Sequence, residues 1–222
     1  MEESEAAMSI GEKVLDLLFP KRCIFCRRLT QAGAWVCPRC RDTVPLTGSA
    51  ATQQFPQLDS CLSPLYYEEP VRGSLLRYKF GGRSAYAEVY GEFLAKCIDE
   101  NGISCDSITW APLSRRRLRQ RGYDQARLLA EELARRTGLP CEPMLKKTRN
   151  NRAQSTMGDA RKRRSNVRGV YAVLPGAEIR GKRVLLVDDI VTTGATLSAC
   201  AGELKRAGAA KVYAVTVARR KE

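Results

Sequence analysis

Val184-Leu185-Leu186-Val187-Asp188-Asp189-Ile190-Val191-Thr192-Thr193-Gly194-Ala195-Thr196 is the stretch on which the reading of this chain turns. Val184 to Val187 are four consecutive apolar residues, the pattern of a strand buried on both faces of a sheet. Asp188 and Asp189 follow at its carboxyl end, where ligands of open α/β sheets collect. Each carboxylate can accept a hydrogen bond, so the adjacent pair suits the two cis hydroxyls of a ribose. The small residues Thr192, Thr193, Gly194, Ala195 and Thr196 let the backbone close around a phosphate. Amides at the start of the next helix add donors and partial positive charge. The element therefore reads as a site for a 5-phosphorylated ribose.

Outward from that stretch, helices and strands alternate. Ser74–Phe80 and Ala85–Ile98 have helical patterns, with Gly81-Gly82 breaking between them. Ser107–Leu113 reads as a strand, followed by an arginine-rich turn and a helix over Gln125–Arg136 that Gly138 stops. Val170–Leu174 and Arg183–Val187 read as strands, Thr196–Arg206 as a helix ending at Gly208, and Val212–Val217 as a last strand. The alternation predicts an α/β fold with a mostly parallel sheet covered on both faces. Two competing phosphate sites fit less well. No Gly-Lys-Ser/Thr ends the loop, which excludes a P-loop. The phospho-acceptor strand of receiver domains is similar to Leu185–Asp189, but several βα units follow there and only one helix and one strand follow here.

The chain carries 38 Lys and Arg against 24 Asp and Glu, a formal charge of +14, which favours phosphate-rich partners or forms a solvated basic surface. It has no histidine, so histidine bases, Ser-His-Asp triads and histidine metal ligands are excluded. No segment reaches the roughly 18 apolar residues of a membrane span. Glu2, Glu3 and Glu5 are the wrong charge for a secretory signal, so a cytoplasmic location is expected. The organisation predicted is an N-terminal helix within residues 1–20, a cysteine module at 21–45, a linker at 46–60 and an α/β domain at 61–222. The helix rests on Ile10, Val14, Leu15, Leu17 and Leu18, which either pack on their own protein or dock a partner. Pro45, Gly48, Pro56 and small polar residues suggest the linker.

Cys23-x2-Cys26-x10-Cys37-x2-Cys40 sets two knuckles in a short span. Four thiolates complete a tetrahedron around Zn2+, and flanking arginines would offset its negative charge. So short a segment cannot build a hydrophobic core, and the metal would supply its folding free energy. A redox dithiol or two disulfides are the rival readings. Cys61, Cys97, Cys105, Cys141 and Cys200 are scattered and read as small core residues. A basic tract runs from Lys146 and Lys147 through Arg152 and Gln154 to Arg161, Arg163 and Arg164. It reads either as a lid or as a track for single-stranded DNA.

The thirteen residues Val184–Thr196 resemble the signature of the type I phosphoribosyltransferases. That resemblance implies that Asp188 and Asp189 contact the ribose of 5-phosphoribosyl-1-pyrophosphate and that Thr192–Thr196 bind its 5-phosphate. It also implies a pyrophosphate-holding loop after an earlier strand, for which Leu113, Ser114 and Arg115 are the candidates, and Mg2+ carried with the pyrophosphate. Arg121-Gly122-Tyr123-Asp124-Gln125-Ala126 resembles the Arg-Gly-Phe/Tyr-Asn-Gln-Ala segment of the ComF/GntX-like family, competence-associated proteins that often carry an N-terminal cysteine module. Asp124 stands where that family usually has asparagine. The resemblance implies phosphoribosyl transfer to a nitrogen acceptor in the context of DNA uptake. It equally implies a non-catalytic component that binds single-stranded DNA or docks a helicase-like partner while its site holds a nucleotide ligand.

Overall fold

The computed structural model describes residues 21–30, 34–148 and 169–221. They fall into two units, divided between Val44 and Pro45. The helix expected at Ser9–Phe19 and the residues Arg152, Gln154, Arg161, Arg163 and Arg164 lie outside the described residues. In the first unit a tight turn, closed by Arg27 N donating to Cys23 O at 3.0 Å, precedes a short helix α1 (Pro38–Thr43). Proline at the start of α1 is favourable, since its missing N–H would have had no partner there.

The second unit is built on strands β1 (Thr52–Gln53), β2 (Ser60–Leu62), β3 (Leu65–Tyr66), β4 (Ser107–Trp110), β5 (Leu145–Lys147), β6 (Tyr171–Val173), β7 (Arg183–Val191) and β8 (Lys211–Arg219). The main sheet runs β1-β2-β8-β7-β4, with β3 also beside β8. All its pairs are parallel except β1 with β2. β7 and β8 are its centre: Val184–Val187 and Ala214–Arg219 are all buried, as strands covered on both faces must be. The smaller antiparallel pair β5–β6 lies apart from this ladder.

Helices cover both faces. On one side α2 (Val71–Phe80), α3 (Tyr86–Glu100) and α5 (Gln125–Thr137) bury Leu75, Tyr78, Tyr90, Leu94, Leu129 and Leu133 completely. On the other, α6 (Ala195–Arg206) contributes Leu197, Cys200 and Leu204 to a cluster with Met144, Tyr171, Val184, Leu186 and Ala214. Val184 and Leu186 of β7 thus face α6 and the β5–β6 pair, with Leu185 and Val187 facing the opposite layer, while Val191 at the strand's end returns to the α6 side.

Three expectations change. The segment 46–60 is not a linker but part of the second unit: β1 pairs with β2, and Ala51 and Leu58 are buried. Asp59 fixes it, accepting from Val212 N at 2.8 Å and from Lys205 Nζ at 2.6 Å. The arginine-rich turn is a helix, α4 (Arg115–Arg121), because Ser114 caps its start and Gly122 takes the left-handed conformation at its end. Arginine is a good helix former, so charge alone does not argue against one. Finally, β7 does not stop before the aspartates. It stays paired with β8 as far as Val191 opposite Arg219, whereas pairing with β4 ends at Val187 opposite Trp110.

α3 and α5 meet closely at Gly91, where a Cβ would strike Glu132, 3.2 Å from Cβ and nearer still to Cγ. Glu132 cannot swing away freely, since Arg135 and Arg136 hold it at 2.6 and 2.8 Å. Gly91→Ala gains about 1 kcal/mol of helix propensity, while overpacking costs roughly 1–3 kcal/mol. A thermal melt should show Tm lower by about 2–6 °C, with partial recovery when Glu132→Ala is added. An unchanged or higher Tm would mean the helices separate without cost.

Candidate functional site

β7 loses its β4 neighbour after Val187, so Asp188 and Asp189 stand where one side of the central strand opens. Alternation sends the two carboxylates to opposite faces. Asp188 interacts electrostatically with Cys200, Tyr171 and Lys147, on the α6 side. Asp189 does so with Tyr78, Tyr90 and Asp124, on the other. Each carboxylate has one anchored oxygen. Asp189 N donates to Asp188 Oδ1 at 2.8 Å, and Lys79 Nζ pairs with Asp189 Oδ1 at 2.8 Å. Among the described residues, nothing bonds to either Oδ2, which leaves one open acceptor on each carboxylate. Burial, and then the Asp189 charge beside it, push the Asp188 carboxyl up to about 7 against the pull of Lys79.

Lys79 was not legible as a site residue. It is one of several basic residues in α2, and only the fold turns it inward. Asp124 is the third acid here. It caps α5, accepting from Arg127 N through Oδ1 and from Leu113 N through Oδ2, both at 3.3 Å. Burial, with Asp189 nearby, raises its carboxyl above the ordinary range despite those bonds.

Thr192 and Thr193 are exposed in the turn that follows β7, and Gly194 begins α6 with φ +66°. Ser198 N closes onto Gly194 O at 2.8 Å, so the amides before it are the unpaired donors of a helix start. Among the described residues, no group bonds to the hydroxyls of Thr192 and Thr193. Gly194 is required twice: by its φ, and because a Cβ would lie 2.5–2.6 Å from Cγ and Cε1 of Phe55. Phe55 comes from the stretch expected to be a linker, and its ring backs the turn. A lone phenylalanine among glutamines and prolines gave no signal of this.

The candidates for the pyrophosphate loop are placed less favourably for anion contact. The Leu113 amide is taken by Asp124, the buried Ser114 hydroxyl accepts from Arg117 N at 3.4 Å, and Arg115 is exposed on α4. Beside them Phe80 is 68% exposed, with the Arg121 guanidinium 5.0 Å from its ring centre. Arg117, exposed on α4, acts electrostatically on Lys147 and Tyr171.

In the first unit the four thiols converge. The Sγ atoms of Cys23, Cys26, Cys37 and Cys40 all lie within 4.8 Å of one another, and those of Cys26 and Cys37 are 3.6 Å apart. A tetrahedral Zn2+ with Zn–S of about 2.3 Å sets sulfurs about 3.8 Å apart. Burial works against a Cys23 thiolate, but the backbone amides of Cys37, Cys26 and Phe25 donate to it and bring it down to about 7. The donor set fits one structural Zn2+ with no position left open.

Comparison with known proteins agrees with both units. The model of the double zinc ribbon domain matches residues 14–53, and that of the phosphoribosyl transferase domain matches residues 124–222. The DNA utilization protein YhgH of Escherichia coli (strain K12) is 30% identical over 203 residues, 86% of each chain. Competence protein F of Haemophilus influenzae is 26% identical over 225 residues, 90% of this chain and 98% of that one. Among solved structures, the glutamine phosphoribosylpyrophosphate amidotransferase from B. subtilis aligns with TM-score 0.41 and 26% identity over 60% of this chain and 26% of its own.

The state of Asp188 gives a test. Its folded carboxyl holds a proton up to about pH 7, whereas in the unfolded chain it ionises near 3.8. Stability is therefore lost as pH rises between those values and stays lower above them. Asp188→Asn should melt higher than the parent at pH 8, by several degrees, and the gap should shrink towards pH 5. A gap that does not change with pH would mean the carboxyl is ionised throughout.

Proposed function

Since the chain belongs to the ComF-like family, together with the DNA utilization protein YhgH and competence protein F, we propose that it binds 5-phosphoribosyl-1-pyrophosphate and transfers the phosphoribosyl group to a nitrogen acceptor. Its fold is of type I phosphoribosyltransferase type, preceded by a four-cysteine zinc module. The observation that carries the reading is that, among the described residues, Asp188 and Asp189 each keep an unbonded Oδ2 next to the Thr192–Thr196 segment. Two acceptors on adjacent residues match two ribose hydroxyls, and the helix-start amides with the free threonine hydroxyls match the 5-phosphate.

In the reaction the C1–O bond to pyrophosphate breaks, and a bond forms from the acceptor nitrogen to C1. The nitrogen then loses its proton to solvent. Positive charge that develops on the ribose ring would be met by the Asp188–Asp189 pair, and the negative leaving group by arginines of α4. Adjacent carboxylates are also a hard-oxygen set that fits Mg2+, which when bound would neutralise pyrophosphate. Lys79 would hold Asp189 in place while its free oxygen accepts a hydroxyl. A cytoplasmic setting keeps the zinc thiols reduced, and no helix among the described residues is long and apolar enough to cross a membrane.

A second reading has its own support. α4 exposes Arg115, Arg116, Arg117 and Arg119, and its Arg121 lies over the exposed Phe80 ring, so cations and a stacking platform that suit single-stranded DNA share this element. The names of the relatives point the same way, to DNA utilization and competence.

Calorimetry with phosphoribosyl pyrophosphate and Mg2+ should show binding that the Asp188→Asn, Asp189→Asn double variant weakens at least about 100-fold. Unchanged binding in that variant would remove the site assignment. Pyrophosphate release over a panel of nitrogenous bases should identify an acceptor, and release with none would leave binding without transfer. For DNA, oligonucleotide affinity should fall steeply with salt. Phe80→Ala should weaken it about 10-fold with the salt slope kept, whereas salt-insensitive or absent binding defeats this reading.

A further inference from the structure

Lys147 is the last residue of β5, and its ladder partner is Tyr171. Its Nζ donates to the Tyr171 hydroxyl at 3.2 Å and lies 5.1 Å from the ring centre. Tyr171 is buried, and its hydroxyl also meets the side chain of Thr196, the second residue of α6, just past the turn after β7. One ammonium is thus joined through one phenol to the turn. A second cation, Arg117 on the exposed face of α4, acts electrostatically on both Lys147 and Tyr171.

Two cations from separate elements act on one another with no acid paired to either among the described residues. Neither Lys147 nor Arg117 enters any ion pair among the described residues. The acid that acts on Lys147 is Asp188, and its pull ranks below burial and the Arg117 charge. Partial burial and the Arg117 charge both work against the Lys147 ammonium and lower its proton affinity. An unpaired, half-buried cation of this kind is unfavourable until an anion completes it. The Tyr171–Thr196 contact says which anion, since it leads to the turn after β7 rather than to Leu113–Arg115.

We propose that Lys147, steadied by Tyr171, binds the phosphate seated at Thr192–Thr196, and so discriminates for a 5-phosphorylated sugar. On the phosphoribosyl reading, on which this role rests, that group is the 5-phosphate and not the pyrophosphate. A helix start supplies only partial charge. Lys147 supplies one from a strand outside the Val184–Thr196 signature.

The experiment is calorimetry of the full chain, loaded with zinc, against ribose 5-phosphate and against inorganic pyrophosphate with Mg2+. Lys147→Met should weaken ribose 5-phosphate about 10- to 100-fold and leave pyrophosphate within about 2-fold, with Lys147→Arg restoring most of the loss. Tyr171→Phe, which keeps the buried ring, should weaken ribose 5-phosphate by a smaller factor, about 3- to 10-fold. It carries the same prediction if the methionine variant does not fold. Wild-type binding of ribose 5-phosphate that neither variant alters overturns the role of Lys147 and leaves the phosphoribosyl reading standing. Equal loss of both ligands in a folded variant overturns the assignment to the 5-phosphate. A wild-type chain that binds neither ribose 5-phosphate nor phosphoribosyl pyrophosphate overturns both proposals together.

Discussion

Successive side chains of an extended strand point to opposite faces, and the site depends on that constraint acting at two adjacent acids. Val184 and Leu186 bury into the α6 layer while Leu185 and Val187 bury into the other, so Asp188 and Asp189 inherit the same division. One carboxylate enters a layer of thiols, a tyrosine and Lys147; the other enters a layer of tyrosines and Lys79. The two acids are neighbours in sequence yet live in different surroundings. That is why one is held by a lysine while burial and its neighbour's charge push the other's carboxyl up. Placing them costs stability in the ligand-free protein, which the surrounding fully buried strand can bear.

Much of this was legible in the chain. The apolar run 184–187 gave the central strand, the Gly138 and Gly208 stops gave helix ends, and the Cys-x2-Cys pairs gave the metal cluster. All of these are local patterns. What escaped needs the third dimension. Phe55 has no periodic context, and only the close approach of its ring to Gly194 ties it to the turn. Lys79 sits among other basic residues of α2 and is distinguished by direction alone. β1, β2 and β3 are two or three residues long, too short for alternation to register, so the sequence offered turn residues and a linker where the fold adds strands. α4 was hidden by its charge, because five arginines in seven residues look like a solvated turn until Ser114 and Gly122 are recognised as its two caps.

The two units solve the problem of size differently. The larger has a core of fully buried aliphatic and aromatic residues on both faces of one sheet. The smaller has a few buried residues, Ile24 and Phe25 among them, around four thiols, and relies on metal binding to supply the folding free energy that its apolar surface cannot. Folding of the first unit is therefore tied to zinc supply, and folding of the second is not.

The ends of the main sheet carry a further consequence. β1, on one flank, is only two residues long. On the other, β4 has its outer side taken, since Ile108 N donates to Pro140 O at 2.8 Å and Glu142 N to Ile108 O at 3.0 Å. Among the described residues, neither flank offers a long row of free amides and carbonyls to a strand from elsewhere. A sheet whose middle strands are among the most apolar in the chain can thus remain concentrated beside its own copies without templating their aggregation.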